Sequence, residues 1–265
     1  MKSHYTSLWL LLAVAFAVFA VASAFEMPAI AGHQLKSSEI ADHLFADNAV
    51  EMPAEEPPML ADSVEELPVT VFPAPCDSSA QTILFIGDSM LEGLGPRMAA
   101  YAEENGHSLY YVIWYSSTSA VWGQSDKLKK YIQRLNPSYV FICLGANELF
   151  VNDIAKKRNH FVKKIISDID TIPFIWIGPP NWKPDTGIND LIKANAPEGS
   201  FFLSSGLTFE RSKDGAHPTR SSASAWMDSV AAWMPRNARH PILMKRPQAE
   251  EGRAKRIFVH QPDER

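Results

Sequence analysis

A serine, a histidine and an aspartate of this chain have the types and spacing that nucleophilic catalysis needs. Ser89 follows the apolar run Thr82–Gly87, with Asp88 between them, and a helix-like pattern begins directly after it. A serine at such a junction presents its hydroxyl at the edge of a sheet, and its backbone N–H lies at a helix N-terminus, which stabilises negative charge. Both are requirements of a nucleophile. In isolation, Ser89 is explained at least as well as a helix N-cap.

The segment Asp214-Gly-Ala-His217 supplies a general base for such a serine. A nucleophilic serine needs an imidazole within hydrogen-bonding distance and a carboxylate that fixes the imidazole tautomer. Asp214 and His217 are three positions apart at the start of a predicted helix, so their side chains can meet within one turn. Each also has a plainer explanation, Asp214 as the cap of a turn and His217 as a loop residue.

The elements that must position these residues form a predicted α/β fold. From Gln81 onward, apolar runs that end at Gly or Pro alternate with helical patterns, which indicates a parallel sheet with helices on both faces. Ligands bind such sheets at the carboxyl ends of the strands, and Ser89, Asn147 and the loop Ser116–Ser119 all follow a predicted strand. The predicted strands are Thr82–Gly87, Ser108–Trp114, Tyr139–Leu144, Phe174–Ile177 and Ser200–Leu203.

Three short segments resemble the sequence blocks of the SGNH (GDSL) hydrolase superfamily. They are Gly87-Asp-Ser-Met90, Gly145-Ala-Asn-Glu148 and Asp214-Gly-Ala-His217, in the family order, and the resemblance covers about Gln81 to Met234. It implies a three-layer α/β/α, flavodoxin-like sheet and esterase or lipase chemistry. It also implies Ser89 as nucleophile, His217 as base and Asp214 as its orienting carboxylate. The oxyanion donors would be Asn147 and the Ser89 backbone N–H.

The second block departs from the family pattern. A glycine N–H is normal there, whereas this loop is Ser116-Ser-Thr-Ser-Ala120. Ser119 is the nearest match, and its backbone N–H is the expected third oxyanion donor. Loss of one oxyanion donor costs about 10²–10³ in rate, so a weakened or non-catalytic module for carbohydrate binding or assembly stays open. Met90, where Leu is usual, is a core change, and Glu148, where many members have Asp, is expected to support its loop.

Substrate contacts are assigned to Asp88, Trp122 and Asn181, which lie near strand ends. Trp182 is a further candidate for a sugar or acyl platform, whereas Trp176 lies within a strand and is expected in the core. No histidines or cysteines stand at metal-ligand spacing, so no metal or other cofactor is expected. The Gly-x-Ser-x-Gly elbow of α/β-hydrolases is absent from the sequence.

The N-terminal region predicts export. Lys2 precedes an uncharged run, Tyr5–Phe25, that ends in Ala22-Ser-Ala24, which is typical of a signal peptide or a signal anchor over residues 1–25. An acidic, Pro-rich linker is predicted over 26–80, the hydrolase domain over 81–239 and a polar, loosely packed tail over 240–265. The expected location is the periplasm or another extracytoplasmic space, after secretion or on an inner-membrane anchor.

Charge and cysteine content exclude other classes. The chain has 265 residues and a formal net charge of −5. Eleven acidic residues lie between Phe25 and Ala80, against Lys36 as the single lysine or arginine there, so the rest of the chain is slightly basic. No basic face strong enough for nucleic acid is present. Cys76 and Cys143 are expected to be unpaired, with Cys143 in the core.

These features together predict an exported serine esterase whose substrate is an acylated carbohydrate of the cell envelope, with a small acyl group such as acetyl. A lipase or thioesterase remains an alternative, since it differs by an apolar acyl channel that sequence does not reveal. No specific protein partner is inferred, and membrane anchoring would act through residues 5–25.

Overall fold

The computed structural model of the chain describes residues 74–262. These residues belong to the second of two units into which the chain divides, Glu66–Arg265. The predicted signal segment, residues 1–25, and most of the predicted linker lie outside the described residues. Within residues 74–262, no helix has the length and apolar character needed to cross a bilayer.

A parallel sheet forms the centre of the described fold. Its strand order is β5-β4-β3-β1-β2-β6, and every neighbouring pair is parallel. The first five strands follow the flavodoxin-like order 2-1-3-4-5, so the prediction of a flavodoxin-like α/β fold is confirmed. The strands are β1 (Thr82–Gly87), β2 (Ser108–Trp114), β3 (Tyr139–Cys143), β4 (Phe174–Ile177), β5 (Phe201–Phe202) and β6 (Arg256–His260).

Helices cover both faces of this sheet. They are α1 (Leu91–Glu104), α2 (Ser119–Gln124), α3 (Lys127–Leu135), α4 (Ile154–Ile169), α5 (Ile188–Asn195) and α6 (Arg220–Asn237). On one face, Phe85 packs in a buried cluster with residues of α1 and α6 such as Leu94 and Trp226. On the other face, Leu84 packs with residues of α2 to α5 such as Val162. Successive side chains of a strand point to opposite faces, so β1 is buried on both and the fold has three layers.

The C-terminal region differs from its prediction. A loosely packed tail was expected from residue 240, but β6 pairs in parallel with β2, and Phe258 packs on the ring of Tyr131. The segment before β6 is also attached, because buried Arg97 donates to the Ala249 carbonyl at 2.6 Å. That prediction is therefore wrong for these residues. Ile257, Phe258 and Val259 are ordered because their strand pairs with β2, which is distant in sequence.

Smaller differences concern element bounds. The predicted polar loop after β2 contains α2, which Thr118 caps by accepting a hydrogen bond from the Val121 N–H. The fifth strand is shorter than predicted, and Leu203, which lies beyond it, is half exposed. Both cysteines are free, with Cys76 exposed and Cys143 buried, as predicted.

Candidate active site

The turn after β1 brings Ser89 to the carboxyl edge of the sheet. Gly87 is required there, because a Cβ at this position would lie 2.2 Å from Leu91 Cδ1 and 2.4 Å from the Cys143 carbonyl oxygen. Asp88 closes the turn by accepting the Met90 N–H at 2.9 Å. Ser89 is half-buried and lies outside α1, whose N-cap is Met90. The N-cap explanation of Ser89 therefore does not hold for its side chain.

Ser89, His217 and Asp214 form one hydrogen-bonded chain. The distance from Ser89 Oγ to His217 Nε2 is 2.8 Å, and that from His217 Nδ1 to Asp214 Oδ2 is 2.7 Å. With Nδ1 protonated and bonded to the carboxylate, Nε2 is left as an acceptor for the serine proton. The structure thus brings together the three residues that the sequence nominated, although 128 positions separate Ser89 from His217.

The Asp214–His217 turn is held by its own backbone. Asp214 Oδ1 accepts the N–H groups of Ala216 at 2.9 Å and His217 at 3.0 Å. These backbone bonds, together with the bond from the His217 ring, lower the pKa of Asp214 to about 2. The carboxylate is therefore charged at neutral pH, and its exposure to water favours the same charged form.

Arg211 connects this turn to the loop after β4. Its guanidinium donates to the Ala216 carbonyl at 2.7 Å and to the carbonyls of Pro180 and Asn181, both at 3.1 Å. Burial lowers the pKa of Arg211, and the nearby Asp214 opposes this shift. The sequence offered no signal for this role, because the loop contacts join residues about thirty positions apart.

Asn147 follows β3 at the same edge of the sheet as Ser89. Gly87 pairs with Cys143 in the register of β1 and β3, so the residues after each strand are neighbours. One N–H of the Asn147 amide donates to the Ser117 carbonyl at 3.0 Å, which leaves its second N–H for a ligand. Among residues 74–262, the Ser89 backbone N–H has no acceptor either. Both groups therefore remain candidate oxyanion donors.

Ser119 does not supply the third donor. Its N–H donates to Glu148 Oε2 at 2.7 Å and its hydroxyl to Glu148 Oε1 at 2.9 Å, and both residues are fully buried. Arg158 of α4 bonds the same carboxylate at 2.6 Å. The assignment of Ser119 to the oxyanion site is therefore corrected: Ser119 anchors α2 to the Asn147–Glu148 turn.

Ser116 is the residue of this loop that has a glycine-like backbone. Its φ is 54°, in the left-handed region that favours glycine. Gly87 pairs with Ile113, so Ser116 follows the strand that neighbours the nucleophile turn, and it is exposed. The Ser116 N–H has no hydrogen-bond partner in the described part of the chain. The sequence did not single out Ser116 from its neighbours, because nothing in a run of serines shows which one takes the left-handed conformation.

Asp88 is a buried carboxyl rather than a substrate contact. It is fully buried, and its Oδ2 has no hydrogen-bond partner among the described residues. Burial raises the pKa of Asp88 to about 7, because a charged carboxylate is poorly solvated there. Its assignment to substrate binding is corrected, since no ligand outside the protein reaches a side chain with no exposed surface.

Trp122 is likewise a core residue. It is fully buried, its Nε1 donates to Ser117 Oγ at 3.0 Å, and its ring packs edge-on against Trp114. Asn181 is half-buried, and its side-chain oxygen accepts from Asn189 at 3.0 Å, so its predicted substrate role stays a prediction. Trp176 is in the core, as predicted.

In the described range, 74–262, no three histidine, cysteine, aspartate or glutamate side chains are grouped to hold a metal ion. The chemistry that these residues support on their own is acyl transfer: a serine hydroxyl, an imidazole acceptor and uncommitted N–H donors meet at one edge of the sheet.

No protein-family model matches the chain, and no curated protein matches it. Among solved structures, it is similar to the psychrotrophic esterase EstA from Pseudoalteromonas sp., at 18% identity and a TM-score of 0.44, over 57% of this chain and 94% of EstA. TesA is similar at 19% identity and a TM-score of 0.43, over 57% of this chain and 96% of TesA. A family 3 carbohydrate esterase from Clostridium thermocellum is similar at 18% identity and a TM-score of 0.44, over 58% and 94% of the two chains.

Proposed function

We propose that this chain is an exported serine ester hydrolase of the SGNH type that removes small acyl groups, such as acetyl, from a carbohydrate of the cell envelope. The observation that carries the proposal is the continuous chain of two hydrogen bonds, 2.8 Å from Ser89 to His217 and 2.7 Å from His217 to Asp214. A serine that only capped a helix has no need of an oriented imidazole.

The reaction follows from this geometry. Ser89 Oγ attacks the ester carbonyl carbon while its proton passes to His217 Nε2, and Asp214 stabilises the imidazolium that forms. The amide of Asn147 and the backbone N–H of Ser89 donate to the oxyanion of the tetrahedral intermediate. Collapse of the intermediate breaks the ester bond, and His217 returns the proton to the departing sugar hydroxyl.

Water completes the cycle. It attacks the acyl group on Ser89 and gives a proton to His217 Nε2, and the second tetrahedral intermediate then releases the free acid as Ser89 regains its proton. The net reaction consumes one ester and one water and yields one alcohol and one carboxylic acid.

The location of the site supports a polymeric substrate. Ser89 is half-buried, whereas the side chains of His217 and Asp214 are 35% and 51% exposed, so the base side of the site is open to water. An ester on a long chain can approach such a site without entering a channel. The export part of the proposal depends on the uncharged run Tyr5–Phe25 and the small residues that end it.

A second candidate is a module that binds envelope carbohydrate without turnover. The engagement of the Ser119 N–H with Glu148 favours it, because the expected third oxyanion donor is absent at that residue. The Asn147 amide and the Ser89 backbone N–H remain as donors. Weak but measurable hydrolysis would indicate a slow enzyme, and none would indicate a binding module.

Hydrolysis of para-nitrophenyl acetate by the full chain tests the proposal. Turnover should fall to background in Ser89→Ala. Ser229→Ala should match the unmodified chain, because its hydroxyl donates to the Ala225 carbonyl within α6, away from the site. Equal rates in Ser89→Ala and the unmodified chain would contradict a Ser89 esterase. Faster hydrolysis of para-nitrophenyl decanoate than of the acetate would indicate a lipase or thioesterase.

A further inference from the structure

We infer that Phe150, Trp182 and Lys183 form a subsite that binds an acidic sugar unit of the substrate beside the reacting ester. This inference rests on the proposed function, since it names the class of carbohydrate that the same site accepts. These three residues are the subsite.

The subsite is an ammonium group held by two aromatic rings. Lys183 Nζ lies 4.5 Å from the ring centroid of Trp182 and 5.2 Å from that of Phe150. The two rings meet edge to face, with centroids 6.2 Å apart. Phe150 is 52% exposed, although a phenyl ring is usually buried. An attraction between a cation and ring faces restrains the lysine, so less conformational entropy is lost when it binds an anion.

Two contacts fix the subsite beside the catalytic groups. Trp182 Nε1 donates to the carbonyl of Ala146 at 2.9 Å, and Ala146 directly precedes Asn147. The neighbouring carbonyl of Asn181 accepts from Arg211, which also bonds the Ala216 carbonyl next to His217. The segment that carries Trp182 and Lys183 is therefore tied to both the oxyanion side and the base side of the site.

The charge of Lys183 is not neutralised by the protein in the described part of the chain. Lys183 takes part in none of the ion pairs found among residues 74–262. The nearest carboxylate in sequence, Asp185, is committed to the first turn of α5, where it accepts the N–H groups of Gly187 and Ile188, both at 2.8 Å. A ligand carboxylate therefore has an ammonium partner available.

The ammonium of Lys183 and the two aromatic rings together favour a uronic acid over a neutral sugar or a fatty acyl chain. A sugar ring has an apolar C–H face that packs on exposed aromatic surface, and its carboxylate pairs with the ammonium. A phosphorylated sugar would offer the ammonium a second kind of anion, and mannose 6-phosphate distinguishes it from a uronic acid. A bare acyl chain would leave the ammonium without a counter-charge.

Binding to the full-length Ser89→Ala chain, measured by titration calorimetry, tests the subsite without turnover. The probes are O-acetylated trigalacturonate, which is acidic, and O-acetylated xylotriose, which is neutral. We expect the acidic probe to bind more tightly, and Lys183→Gln to weaken its binding by about fivefold to tenfold. Lys183→Gln should leave the Kd of the neutral probe unchanged, whereas Phe150→Ala should weaken both.

Matched controls are available for both substitutions. Lys193→Gln removes an exposed lysine of α5, and Leu203→Ala removes a half-exposed apolar side chain after β5. Neither should change either Kd. A Kd for trigalacturonate that Lys183→Gln changes by less than twofold would overturn the inference, as would equal binding of the two probes or tighter binding of mannose 6-phosphate.

The test separates failure of the subsite from failure of the proposed reaction. If hydrolysis of para-nitrophenyl acetate depends on Ser89 but the two probes bind alike, the subsite is rejected and the esterase stands. If the acidic probe binds through Lys183 but no Ser89-dependent hydrolysis is found, the subsite stands and the esterase is rejected.

Discussion

Asp88 and Asp214 are two aspartates at the same edge of the sheet with opposite chemistry. Asp88 is fully buried, one of its oxygens has no hydrogen-bond partner within residues 74–262, and burial raises its pKa to about 7. Asp214 is exposed and accepts two backbone N–H groups and the His217 ring, and these bonds lower its pKa to about 2. The surroundings alone therefore give one aspartate a raised pKa and the other a lowered pKa.

The two aspartates belong to two layers of the site with different roles. In the proposed reaction, the exposed layer of Ser89, His217 and Asp214 exchanges protons with the substrate and with water. The buried layer beneath it, with Asp88, Ser119 and Glu148, closes turns and ties loops together. Substitutions in the first layer should change the rate, and those in the second should change the stability.

The largest effect is expected from Asp214→Asn in the exposed layer. The asparagine oxygen still accepts the Ala216 and His217 N–H groups, so the turn persists, but the amide favours the wrong imidazole tautomer. We expect kcat for para-nitrophenyl acetate to fall by about 10³–10⁴, with little change in melting temperature. A loss of less than tenfold would show that Asp214 does not orient His217.

A smaller loss is expected from Asn147→Ala, which removes an oxyanion donor between the two layers. The kcat should fall by about 10²–10³, while the melting temperature drops only slightly because a single hydrogen bond to the Ser117 carbonyl is lost. Asn237→Ala, at the exposed end of α6, is the matched control. An unchanged kcat in Asn147→Ala would remove this residue from the mechanism.

The buried layer should respond to pH through Asp88. Its folded pKa, about 7, lies above its ordinary value of 3.8, so between these values the folded chain retains a proton that the unfolded chain has released. The contribution of Asp88 to the free energy of unfolding should therefore fall as the pH rises from about 4 to about 7, by up to about 1.4 kcal/mol per pH unit. Asp88→Asn removes this titration.

Urea unfolding of both chains between pH 4 and pH 8 measures the contribution of Asp88 as a difference, because all other titrating groups are shared. The variant should lose less stability than the unmodified chain as the pH rises. Parallel curves for the two chains would mean that the Asp88 carboxyl is ionised equally in the folded and unfolded states.

The smallest effect is expected from Ser116→Gly. A serine at a φ of 54° is strained by roughly 1 kcal/mol relative to glycine, and glycine loses part of this gain through its more flexible unfolded chain. Thermal unfolding should show a stability gain of up to about 1 kcal/mol. Ser117→Gly should instead destabilise, because its hydroxyl accepts from Trp122; the opposite ranking would contradict the strain.

Local patterns were enough to predict the exposed layer. The strand that ends at Gly87 and the three-residue spacing of Asp214 and His217 are properties of short segments, and parallel topology brings the strand ends to one edge. The alternation of apolar runs and helices likewise predicted the sheet that carries them.

Long-range pairing and backbone conformation could not be predicted from local sequence patterns. Ser119 is bound by Glu148, 29 positions away, and nothing in the run of serines marks that one is buried and another left-handed. The strand Arg256–His260 is mostly exposed, and it is ordered by pairing with β2, more than a hundred positions earlier in the chain. Burial of Trp122 and Asp88 was missed because their helix and turn are short.

Covalent labelling measures whether His217 activates Ser89 as a nucleophile. A fluorophosphonate probe, which reacts with activated serine hydroxyls, should modify the full chain at Ser89, as located by mass spectrometry of the labelled peptide. His217→Gln should slow labelling by at least about 100-fold. Labelling at Ser89 that is equally fast in His217→Gln would show that His217 does not activate Ser89. Labelling of the unmodified chain at another serine would show that Ser89 is not the nucleophile.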